Sequence, residues 1–165
     1  MKKVLQILNK IEENSASSLL IITSLLVFVQ VILRKGFNYS ISWSEEVSRM
    51  MIAWFIFIGS NMAVKENAHV SMDVLASILT GRVKIVIEIM VNIVNIIFCI
   101  VMINAGIGMI KSAIEIGSMA TSVRIPLYIP YASVPVGISL MLLRYIVILI
   151  NRFQELINFG KGVKQ

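Results

Sequence analysis

The chain has 165 residues, of which 58% are hydrophobic and 15% charged, and its mean hydropathy is +0.87. A soluble domain of this size carries about 25% charged residues and has too small a core to hide so much apolar surface, which excludes a soluble globule and makes lipid the expected solvent. Fifteen Lys and Arg against nine Asp and Glu give a net charge of +6. All of those charges but Arg49, Glu88 and Arg144 lie outside the apolar runs, so they read as a membrane-topology signal, and no nucleic-acid partner is expected.

A single cysteine, Cys99, excludes an internal disulfide, and a single histidine, His69, leaves too few soft ligands for a zinc or iron–sulfur site. Neither a Walker A sequence nor a G-x-S-x-G elbow occurs, so ATP-driven pumping and serine hydrolysis lose their usual handles. No catalytic residue, cofactor site or metal site is expected in this chain. It does not read as an enzyme.

Residues 1–14 are polar and basic, with Val4, Leu5, Leu8 and Ile11 at helical spacing, and predict a short amphipathic lead-in on the membrane surface. The first apolar run, 17–33, ends at Arg34 and Lys35 in place of a small-residue cleavage pattern, and reads as an uncleaved signal anchor. Further runs follow at 47–64, 85–110 and 127–150. No proline interrupts 82–124, so one long helix is expected there, stopping near Gly117. Between the second and third runs, His69, Asp73, Ser77 and Thr80 share one helical face and apolar residues the other, which predicts a flat interfacial helix over 69–80. Pro126 and Pro130 suit entry into the last helix, and Pro135 is expected to kink it.

The expected fold is therefore all-α, a polytopic membrane protein with four transmembrane helices and short interfacial amphipathic helices, in one domain over 1–165. Lys2, Lys3, Lys10, Lys65, Arg82, Lys84, Arg152, Lys161 and Lys164 fall on one side, against Arg34, Lys35, Lys111 and Arg124 on the other. The positive-inside rule then puts both termini in the cytoplasm.

Ser42 and Glu45 have capping-box spacing, and Glu45 and Glu46 face the positive end of the second helix. Arg49 lies within one turn of both carboxylates, and Trp43 reads as an interface anchor. A salt bridge from Arg34 or Lys35 to this acidic pair would fix the angle of the first helical hairpin. Counting depth from the helix ends pairs Glu88 with Arg144. His69 and Asp73, four apart, read as a hydrogen-bonded interfacial pair rather than metal ligands. Gln30, Asn61, Asn92, Asn95 and Asn104 are expected to hydrogen-bond between helices, and Gly59 with Ala63, and Gly106 with Gly108, to let helices approach closely.

Trp43, Ser44, Glu45, Glu46, Val47, Ser48 and Arg49, then Trp54, Phe57 and Gly59, then Ala63, His69 and Asp73, resemble the signature of the small (Q) membrane subunit of tripartite ATP-independent periplasmic (TRAP) transporters. Gln30 to Arg34 with Phe37 and Asn38 upstream, and Pro126, Tyr128, Pro135, Val136, Gly137 and Arg144 downstream, are similar to that family's first- and fourth-helix patterns. The resemblance implies a small permease subunit of the bacterial inner membrane. Its implied partners are a large membrane subunit (M), a periplasmic substrate-binding protein (P) and membrane lipids. It also implies sodium-driven uptake of an organic acid, such as a C4-dicarboxylate or sialic acid, with substrate and sodium sites in the large subunit. Trp43, Glu45, Glu46, Arg49, Trp54, Gly59, His69, Asp73, Arg34, Glu88, Arg144 and Pro135 are then structural or partner-contact residues. The competing readings are an autonomous four-helix exporter and a membrane assembly factor. The exporter would need a membrane-embedded carboxylate in its first run, and 17–33 contains none.

Overall fold

The computed structural model describes residues 2–39, 41–78 and 82–162, and side-chain surroundings for 10–39, 41–62, 64 and 83–157. Among the described residues the chain is all helical: α1 (Lys2–Gly36), α2 (Ser42–Ile78), α3 (Arg82–Ile116), α4 (Tyr128–Tyr131) and α5 (Ser133–Gly162). Three helical stretches, Lys10–Gly36, Val83–Ile116 and Tyr128–Ile157, are long and apolar enough to cross a membrane. Only 17–22% of their most apolar windows is buried within the chain, so most of that surface faces lipid or a partner.

The helices pack in the order α1, α2, α5, α3, with α3 against α5 the most extensive pairing. Two glycines set the spacing. At Gly106 of α3, an added Cβ would lie 3.0 Å from Pro135 Cδ of α5. At Gly137 of α5 it would lie 2.6–2.8 Å from the Phe57 backbone and Cβ on α2, closer than any side chain tolerates. A Cβ at Gly59 would touch only the ring of Phe55 on its own helix, and one at Gly108 would meet nothing. The expected close approach is therefore found at Gly106, but not at Gly59 or Gly108. The side chain of Ala63 lies outside the described residues.

α3 ends as its sequence predicts. Gly117 takes φ +66°, its N–H donates to the Ile114 carbonyl (3.1 Å), and that of Ser118 donates to Ala113 (3.0 Å). This is the paired closure of a Schellman cap. α1 ends one residue before an irregular turn in which Asn38 takes φ 51°, while the N–H groups of Phe37 and Tyr39 both donate to the Leu33 carbonyl.

Two sequence expectations need correction. The amphipathic lead-in does not break from the first span: α1 is one helix from Lys2, because no Gly or Pro interrupts 2–35. The stretch 69–78 likewise continues α2 without interruption, giving a helix of 37 residues, about 55 Å long, in place of a separate interfacial element. The last helix is interrupted at Ala132, just before Pro135, whose missing N–H leaves a gap in the helical ladder there. Ala132 keeps helical angles (φ −62°, ψ −22°), and the Val136 N–H still donates to its carbonyl (3.2 Å). There the buried Ser133 hydroxyl donates to the Pro130 carbonyl (2.6 Å).

Candidate functional site

The charged residues gather at two levels of the bundle. At one level, the end of α1, the start of α2 and the loop 117–127 meet. Glu45 lies 3.8 Å from both Arg34 and Arg49, so the expected bridge across the first hairpin is present. These side chains are 48–79% exposed, which makes both pairs weak, at about 0–1 kcal/mol each. Around them Phe37, Tyr39 and Trp43 expose aromatic rings, as residues at a membrane–water interface do. Trp54, two turns further into α2, is half-buried.

Glu46 reaches further than the sequence suggests. Its carboxylate accepts N–H bonds from Thr121 (2.9 Å), Ser122 (2.8 Å) and Val123 (3.3 Å), seventy-five residues and more along the chain. Three successive amides converging on one anion form a nest. The Ser122 N–H, with help from its neighbours, holds the Glu46 carboxyl below its ordinary pKa. The loop itself is closed by an antiparallel bridge between Met119 and Pro126 and by Ala120 N–H to the Ile125 carbonyl (2.8 Å), with Arg124 at φ 53°. Glu46 thus ties α2 to the connection between α3 and α4. No spacing rule in the sequence points to that tie, because the donors are backbone groups of a distant loop.

The second level holds buried ion pairs. Glu88 pairs with Arg152 (3.0 Å), although the N–H is not aligned for a hydrogen bond, and Arg152 also binds Glu155. Arg144 binds Glu12, with side chains 13% and 8% exposed. The sequence pairing of Glu88 with Arg144 is therefore wrong, and helix register explains why. With Gly106 set against Pro135, Glu88 lies eighteen residues back along α3 and Arg152 seventeen forward along α5, about 26 Å in each case at 1.5 Å per residue. Arg144 is eight residues short of that level and meets α1 instead. A signal for Glu12 existed: it follows Leu5 and Leu8 on the apolar stripe of the lead-in, where a charge implies a buried partner.

Asn92 donates to the Glu88 carbonyl of its own helix (2.8 Å), and Asn61, fully buried, has no hydrogen-bond partner, so neither makes the expected interhelical bond. The backbone at His69 and Asp73 is helical, but their side chains lie outside the described residues. Among the described residues no three His, Cys, Asp or Glu side chains are grouped to hold a metal ion.

Long apolar helices whose charges serve to hold one another define a multi-pass, all-α membrane protein. The family model described as "Tripartite ATP-independent periplasmic transporters, DctQ component" matches residues 23–155, and the chain belongs to that family. It is similar to a TRAP transporter small permease protein of Haemophilus influenzae, 33% identical over 139 residues that cover 84% of this chain and 85% of the relative. The small permease protein DctQ of a C4-dicarboxylate TRAP transporter of Vibrio cholerae is 34% identical over 82 residues, 50% of this chain and 35% of the relative. The isethionate TRAP transporter permease protein DctMQ of Oleidesulfovibrio alaskensis is 24% identical over 117 residues, 71% of this chain but 18% of that longer protein. The chain is a small permease subunit of a TRAP transporter, a transport component and not an enzyme, and membership in this family implies a large membrane subunit as partner.

Proposed function

We propose that this chain is a four-span scaffold of the bacterial inner membrane, with both termini cytoplasmic and residues 1–165 forming one domain. It holds the large TRAP subunit and helps dock the periplasmic binding protein for sodium-driven uptake of an organic acid. The pairing of the deep charges carries this reading: Glu12 with Arg144 and Glu88 with Arg152 are matched within the chain, so these carboxylates are engaged in holding helices together. Substrate and sodium sites then belong to the large subunit.

The fourth span is the 47–64 run within α2. Contacts of Arg34 with Glu45, and of Glu46 with the loop after α3, bring the exit ends of α1 and α3 together and so support a common side for both. Two helices that cross in the same direction need the helix between them to cross back. The basic residues of the other side, by the positive-inside rule, make the Glu46 side periplasmic. On that side Glu45, Glu46 and Arg49 anchor α2, while Trp43 and the 117–127 loop offer a surface to the binding protein. His69 and Asp73 organise the cytoplasmic end of α2. The substrates in the relatives' names, a C4-dicarboxylate and isethionate, are both organic acids, which supports that class of cargo without choosing a member.

Affinity purification of the tagged chain in mild detergent from its native host, with mass spectrometry of what accompanies it, tests this. One large polytopic permease recovered in equal amount is the expected result. Recovery solely as a self-associated oligomer overturns the scaffold and favours an autonomous exporter.

A further inference from the structure

The geometry points to a phospholipid site between α1 and α2, with the lipid phosphate at Arg34 and Arg49 and one acyl chain laid along the groove below them. It rests on the reading that both helices cross the bilayer. The groove has a volume of about 490 Å³, and its walls include Leu20, Ser24, Val27, Val31, Ile52 and Phe55.

Three observations identify the occupant. From Val31 to Leu20 is eleven residues, about 16 Å of helix, which is half of a hydrocarbon core of about 30 Å. The groove is one leaflet deep. Second, the stripe of Ser24, Val27 and Val31 reaches Arg34 at its next helical step, and the stripe of Phe55 and Ile52 reaches Arg49. Both arginines therefore lie one helical step beyond the groove lining, each 3.8 Å from the Glu45 carboxylate that they share, which leaves a surplus positive charge at that end. An anionic phosphate at headgroup depth complements that surplus. Third, the lining is almost wholly apolar along that length, as an acyl chain requires. Helix partners in membranes favour walls of small residues, whereas these walls are mostly branched and aromatic.

Native mass spectrometry of the full-length chain, titrated with palmitoyl-oleoyl phosphatidylglycerol, reads the site. One lipid per chain should survive removal of the detergent, and diacylglycerol with the same chains should not compete. The Arg34→Gln and Arg49→Gln double variant should bind at least about tenfold more weakly, as loss of two basic contacts to an anionic headgroup requires. Val27→Trp should reduce binding with both arginines intact, by filling the groove. Equal retention of lipid by the charge variant and by Val27→Trp would overturn the site and leave only non-specific annular lipid. A benzophenone side chain in place of Ser24, irradiated in the assembled transporter, supplies a readout that does not depend on a destabilised variant. Crosslinking to phospholipid supports the proposal, and crosslinking to a polypeptide contradicts it. Either result leaves co-purification of the large subunit, the test of the scaffold itself, unaffected.

Discussion

The two charged levels of this bundle solve the same problem by opposite means. At the Glu46 level, charges stay partly in water, ion pairs are long, and the strongest contact is a carboxylate on three backbone amides. At the Glu12 level, the partners are buried side chains from different helices. Near water, a lost charge is replaced by solvent, so such pairs add little stability. Away from water, one charge without its partner is a large defect, even where the intact pair contributes little over an apolar one. The first level is suited to contacts that change with a partner. The second is suited to holding the frame.

The largest effect should come from breaking the buried pair. Glu12→Ala leaves Arg144 buried against a truncated partner and should destabilise the fold by about 3–5 kcal/mol, read by thermal denaturation in detergent. Replacing both residues together, Glu12→Gln with Arg144→Met, should recover most of that loss. Next is Gly137→Leu, which drives a side chain into the Phe57 backbone and should cost about 1–3 kcal/mol. Gly59→Ala, whose Cβ would meet only the Phe55 ring of its own helix at an ordinary 3.8 Å, is the matched control and should not destabilise the fold.

A smaller, local effect is expected from Glu46→Gln. Hydrogen exchange at the amides of Thr121, Ser122 and Val123 should quicken while the helices stay protected. Acid should act in the same direction. The native carboxyl has the lower pKa, so the tie is fully present above the ordinary carboxylate value and disappears as pH falls through the lowered native one. Protection of these amides, taken as exchange relative to a free amide at the same pH, that stays constant across that interval would remove Glu46 from its role. A small effect on stability also belongs to Arg49→Ala, within about 1 kcal/mol of the parent, since its pair with Glu45 is exposed. Its expected consequence is a lower yield of the assembled complex, with the sodium dependence of uptake unchanged.

Helix identity and the stop at Gly117 were legible in the sequence, because a proline-free apolar run closed by glycine has one local solution. The bond between Arg34 and the acidic start of α2 was legible for the same reason, since a short loop leaves few alternatives. Boundaries inferred from amphipathicity failed at residues 14 and 69. A change in which face is polar does not break backbone hydrogen bonds. The partner of Glu88 failed because depth was counted from helix ends, whereas register is set by the contact of Gly106 with Pro135, visible only once helices are packed. Gly137 was noticed only as part of a family pattern, and its close approach to Phe57 has no local signature.

The central claim is that the deep charges of this chain hold helices and do not couple ions. Uptake should be measured in proteoliposomes containing the complex with the Glu12→Gln and Arg144→Met double variant, across a range of sodium concentrations. The expected result is an assembled complex whose sodium dependence matches that of the parent. Normal assembly with an altered sodium dependence would contradict it and move part of the coupling machinery into this subunit.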